Sequence, residues 1–74
     1  MQEEITRRVK AAFKDATVSV LVDGNRAMIE VVSADFADLS RVKKQQAVYA
    51  CIEDLIAAGH LHAVTIKAET PAGE

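Results

Sequence analysis

Seventy-four residues, half of them apolar, suffice for one small domain with a modest core and exclude two domains. Aromatic residues make up only 4% and tryptophan is absent, so Val, Ile, Leu and Ala must fill the core around a few larger anchors. Nine basic against eleven acidic residues give a formal charge of −2, which excludes a surface built throughout to neutralise phosphate while allowing a local basic patch. Cys51 is the single cysteine, so neither an internal disulfide nor an all-cysteine metal site can form, in keeping with a reducing compartment. The start, Met1-Gln2-Glu3-Glu4, is acidic where a secretory leader is basic, and no apolar run approaches the ~20 residues of a membrane helix. A soluble cytoplasmic protein without a membrane partner is expected.

From Gln2 to Lys14, the residues Ile5, Val9, Ala12 and Phe13 recur at helical spacing. Glu3 and Glu4 near the start, with Lys10 and Lys14 towards the end, complement the helix dipole. Thr17 to Val22 is β-branched and apolar, and Asp23-Gly24-Asn25-Arg26 tolerates positive φ before a second run, Ala27 to Ser33, so a hairpin is predicted. Alternation sets Ile29 and Val31 on one face of the second strand and Met28, Glu30 and Val32 on the more solvated one. Asp35 and Asp38 around Phe36 mark a turn or short 3₁₀ piece. Ser40 then caps a helix whose inward stripe is Val48, Cys51, Ile52, Leu55 and Ile56, continuing to Ala58, with a bend or break near Ala50 and Gly59 closing it. The last strand runs from Leu61 to Glu69, with His62, Val64, Ile66 and Ala68 on one face and Ala63, Thr65 and Lys67 on the other, and Thr70-Pro71 ends it. Ala72-Gly73-Glu74 are too few for another element.

The long crossover between the second and third strands favours their parallel pairing. The expected class is therefore α+β, in the order αββααβ, with a three-stranded mixed sheet and helices on one face. That order resembles the KH-like fold of class II type. The second half carries a more specific likeness: Ser40-Arg41-Val42-Lys43-Lys44-Gln45-Gln46-Ala47-Val48-Tyr49, followed by Leu61-His62-Ala63-Val64-Thr65-Ile66-Lys67-Ala68-Glu69-Thr70-Pro71, resembles the BolA family in its short bacterial IbaG-like branch. Ser33 to Phe36 also match, the first helix matches in pattern only, and residues 1–74 read as a single BolA-like domain.

The resemblance implies a non-enzymatic adaptor that partners a monothiol glutaredoxin and shares a bridged 2Fe-2S cluster in iron-sulfur trafficking or iron homeostasis. No cluster is expected in the isolated chain, a monomer or weak dimer. The family is also described as DNA-binding transcriptional regulators of morphology and stress genes, which makes DNA the alternative partner. The family pattern assigns the metal ligand at the start of the last strand, His62 here, and a second Cys or His ligand in the loop between the first two strands, where Arg26 stands instead. A guanidinium stays protonated and has no lone pair for iron. That departure raises a third reading, a module that binds the apo-glutaredoxin without metal. Relatives usually continue from the matching Thr-Pro into a final helix.

Without the resemblance, a single His at a strand start reads as a packed, hydrogen-bonded residue before it reads as a ligand. His60, two residues earlier, is an auxiliary metal candidate if the strand begins there, and a helix-cap residue if it belongs to the turn after Gly59. Arg41, Lys43 and Lys44 crowd the first turn of the long helix, where the dipole favours anions, so they point to an acidic partner, glutathione carboxylates or DNA, unless Asp35 and Asp38 neutralise them. Against DNA, there is no Gly-x-x-Gly clamp and no aromatic stacking platform. Cys51 reads as an inert small hydrophobe, and Tyr49 as a core anchor. No triad, phosphate loop or catalytic carboxylate pair is present, so no catalysis is expected.

Overall fold

The computed structural model describes residues 1–71; the expectation for Ala72 to Glu74 lies outside them. Helix α1 spans Gln2–Ala12, with Glu3 and Glu4 in its first turn, Lys10 in its last, and Ile5 and Val9 fully buried. It stops before the expected Lys14: Phe13 takes a non-helical φ of −129° and turns its ring edge-on against Phe36, with centroids 5.0 Å apart.

Strands β1 (Thr17–Asp23) and β2 (Arg26–Val32) pair antiparallel from Thr17↔Val32 to Asp23↔Arg26, so Gly24 and Asn25 alone make the turn. Gly24 has φ +63°, the left-handed conformation such tight hairpins require. Strand β3 (Ala63–Glu69) joins β2 in parallel, from Arg26↔Ala63 to Val32↔Glu69, giving the order β1-β2-β3. The long connection contains a 3₁₀ turn, Ala34–Phe36, then α2 (Arg41–Tyr49) and α3 (Glu53–Ala57).

Alternation assigns the two sheet faces as expected. Val20, Ala27, Ile29 and Val31 are buried under the helices, joined by the half-buried Val18, Val22, Val64, Ile66 and Ala68, while Leu21, Met28, Glu30 and Lys67 face outward. The core is completed by Phe36, Val48, Ile52, Leu55 and Leu61. The only buried polar side chain among the described residues is Ser33, whose Oγ accepts from the Asp35 N–H while its own N–H donates to the Glu69 carbonyl at 2.9 Å.

The expected long helix is divided. Cys51 and Ile52 donate to the carbonyls three residues back, Val48 and Tyr49, and Ile52 adopts φ −126° before α3 begins. The break keeps Ile52 and Leu55 in the core with Cys51 and Ile56 half-buried against it, and leaves Ala58 exposed, which corrects the end of the expected stripe. Tyr49 is a second correction. Adjacent helical residues point about 100° apart, so with Val48 turned into the core Tyr49 lies on the flank beside β3, 39% exposed.

A polar clasp joins the first helix to the last. Arg8 donates through Nη1 to Asp54 Oδ1 at 2.5 Å and to the Cys51 carbonyl at 3.3 Å, and through Nε to Glu4 Oε2 at 3.0 Å. The Arg8 hydrogen bond, reinforced by its charge, holds the Asp54 carboxyl below its ordinary value of 3.8. A carboxyl lowered on folding contributes stability that is complete above its unfolded value and lost as pH falls through the folded one. Asp54→Asn should therefore change stability little at pH 7, because the pair is solvent-screened, and should flatten the loss of stability below about pH 4. Urea unfolding of both proteins at neutral and acid pH checks this.

Candidate functional site

His62 sits where the hairpin turn meets the start of β3. The strand begins at Ala63, one residue past His62: the Ala63 N–H donates to the Asn25 carbonyl at 3.4 Å as the first bond of the parallel ladder, and the His62 N–H shares that carbonyl at 2.8 Å. The expected start at Leu61 is thereby corrected: Leu61 leaves the strand and plugs the core, 1% exposed, while His62 is exposed. Within the described residues the exposed His62 imidazole makes no hydrogen bond or ion pair.

The turn before it is a helix closure. Gly59, at φ +86°, donates to the Ile56 carbonyl, and His60 donates to Leu55, each at 3.0 Å. The His60 backbone thus belongs to the helix cap, and its exposed side chain leaves from that turn, outside the strand.

Arg26 is brought beside this end by register, since it pairs with Ala63. It lies on the open face of the sheet in a shallow depression with Leu21, Asp23, Met28, Ala63 and Thr65. Leu21 and Met28, opposite one another across β1 and β2, are 64% and 48% exposed, an apolar patch that sequence reasoning missed at Leu21. The signal for it is the same alternation that sets Met28 outward beside Glu30.

Arg41, Lys43 and Lys44 are not part of this surface. The Ser40 Oγ caps α2 by accepting from the Lys43 N–H at 3.2 Å, and Arg41 and Lys44 border Lys67, Ala68 and Glu69 at the far end of β3. From Ala63 to Glu69 the strand advances about 20 Å, so the two groups of candidates occupy opposite ends of it. Among the described residues no ion pair joins Asp35 or Asp38 to these cations, so the neutralisation that their proximity in sequence allowed does not form.

A family model described as BolA-like protein matches residues 22–73, from the hairpin through the last strand. The chain belongs to the BolA-like family. It is 47% identical over 69 residues to the acid stress protein IbaG of Escherichia coli K12, a match covering 93% of this chain and 82% of that protein. Its fold matches BolA1 from Arabidopsis thaliana with a TM-score of 0.85 at 18% identity over 99% and 94% of the two chains. The BolA domain of Arabidopsis SufE1 gives the same score at 24% identity, over 96% and 92%.

In this BolA-like protein the metal-donor side chains at the hairpin end are the His62 imidazole and the Asp23 carboxylate. No three His, Cys, Asp or Glu residues among the described ones gather into a metal-holding group. Cys51 is elsewhere, under α1, with its thiol 3.6 Å from the Ala47 carbonyl, and burial pushes the thiol pKa up, away from the thiolate that binds metal. No helix among the described residues is long and apolar enough to cross a membrane.

Proposed function

We propose that this BolA-like protein is a non-enzymatic adaptor that docks on a monothiol glutaredoxin and supplies His62 to a 2Fe-2S cluster shared between the two. The observation that carries the reading is the exposed His62, without a side-chain partner among the described residues, whose backbone is tied to the hairpin turn through the Asn25 carbonyl. Imidazole nitrogen is an established donor to such clusters, and one donor on an open surface requires the remaining ligands from elsewhere. A glutaredoxin cysteine and a glutathione thiolate fit that need. The cluster would accept and release electrons or pass to a recipient; this chain contributes a ligand, a face and a charge.

Arg26 decides what the rest of the site can do. It cannot ligate iron, but its fixed positive charge one strand away from His62 suits the glutathione carboxylates and the negative charge of a thiolate-bound cluster. The Leu21/Met28 patch supplies the apolar contact that interfaces bury at their centre.

Anaerobic reconstitution with a monothiol glutaredoxin, iron, sulfide and glutathione, followed by visible circular dichroism, tests this. The wild type should give a spectrum distinct from the glutaredoxin homodimer, and His62→Ala should remove it while the far-ultraviolet spectrum stays native. A mixed-complex spectrum unchanged in His62→Ala overturns ligation by His62. If the wild type gives no mixed-complex spectrum and still binds the apo-glutaredoxin, the metal-free module is the correct reading.

A further inference from the structure

We propose that the groove between α2 and the free edge of β3 binds an extended, acidic protein segment by strand addition. The groove begins at Val64, two residues past His62, and extends away from it; the proposal does not rest on the cluster reading.

The main-chain geometry supplies the first argument. Among the described residues β3 is an edge strand, paired only with β2. The Glu69 carbonyl is turned towards β2, accepting from Ser33, and the Ala63 N–H is turned the same way, towards Asn25. Because successive residues of a parallel strand alternate in the direction of their main-chain groups, those of Val64, Ile66 and Ala68 face outward. Gln45 confirms the direction: its side-chain amide reaches the Ile66 carbonyl from the groove side at a long 3.5 Å. One edge carbonyl therefore already takes a donor there, weakly enough for a peptide N–H to replace it. An exposed strand edge is a template for another strand.

The walls supply the second. Val42, 63% exposed, and Tyr49, 39% exposed, line a depression with Gln45, Gln46, Val64 and Ile66. An added strand next to β3 would turn alternate side chains onto Val42, Tyr49 and Ile66, combining main-chain bonds with apolar seating.

Charge selects the occupant. The depression runs on, through Gln45 and Ile66, into a second one bordered by three cations, Arg41, Lys44 and Lys67, against one carboxylate, Glu69, which Lys67 already pairs at 3.9 Å. Neither Arg41 nor Lys44 has an ion-pair partner among the described residues, and Lys43 lies in the same turn. A segment with small apolar residues over Val64 and Ile66 and carboxylates at the Ala68 end satisfies both halves. DNA meets the cations but leaves the apolar wall and the strand edge unused, and the groove carries one aromatic ring, too few for a stacking platform.

The test uses the isotope-labelled full chain and a synthetic peptide, acetyl-Thr-Val-Thr-Val-Asp-Glu, followed by amide shifts and hydrogen exchange. The expected result is slowed exchange of the Val64, Ile66 and Ala68 N–H groups, with shifts at Val42 and Tyr49. Arg41→Glu with Lys44→Glu should weaken binding about tenfold. A peptide ending in two lysines, and one with proline at alternate positions, should not bind the unmodified protein, which keeps the test independent of whether the variants fold. The proposal is overturned if the acidic peptide leaves these amides unaffected, if the lysine peptide binds equally well, or if a short DNA duplex perturbs the same residues and displaces the peptide.

Discussion

Phe36→Ala should destabilise the domain by about 3–5 kcal/mol, the range for removing a buried aromatic ring and leaving its cavity. Phe36 is 1% exposed, stands edge-on to Phe13, and is the largest fully buried side chain among the described residues. It also pins the 3₁₀ turn that carries the chain from β2 into α2, so its loss loosens an element as well as emptying a space. A chain of 74 residues has a total stability of about 4–11 kcal/mol at the usual value per residue, so the variant retains little margin. Urea unfolding should show a large fall in midpoint with an unchanged slope, and Phe36→Leu should recover much of the loss. A fall of under about 1 kcal/mol would mean that the ring is not the core anchor described.

The second large effect is a contrast between two aliphatic residues of one sheet. Ile29→Ala, at a fully buried position in the central strand, should cost about 2–5 kcal/mol. Leu21→Ala, on the open face and 64% exposed, should stay within about 0.5 kcal/mol. Both can be read in the same unfolding experiment. Comparable losses would show that the open face is covered in the isolated protein, for example by self-association, and would remove the Leu21/Met28 patch as a surface free for a partner.

The same contrast separates what is legible in the chain's own order of residues from what is not. Ile29 and Val31 inward against Met28 and Glu30 outward follow from a period of two, and Gly24 and Gly59 stand where their turns require a left-handed backbone. The break near Ala50, the cap at Ser40 and the parallel crossover are likewise local or topological inferences. Tyr49 departs from its expected place in the core because its exposure depends on where α2 crosses the sheet edge, a tertiary fact with no local signature. The last strand starts two residues later than expected because the hairpin turn, far away in sequence, ends the partner strand at Arg26, so the ladder opens at Ala63 and the His62 N–H is held by the Asn25 carbonyl.

The candidate site divides in the same way. The α+β class, the hairpin, the inward faces, the family, and the chemistry available at His62, Arg26 and the Arg41–Lys44 turn are all written in the amino-acid order, because periodicity, turn conformation and side-chain type are properties of neighbouring residues. Which of these groups share a surface is a matter of tertiary packing: the parallel register of β2 and β3 brings Arg26 beside His62, and the path of the crossover carries Arg41, Lys43 and Lys44 to the other end of the strand. Strand register and helix crossing are set by burying the whole core at once, so no single segment encodes them.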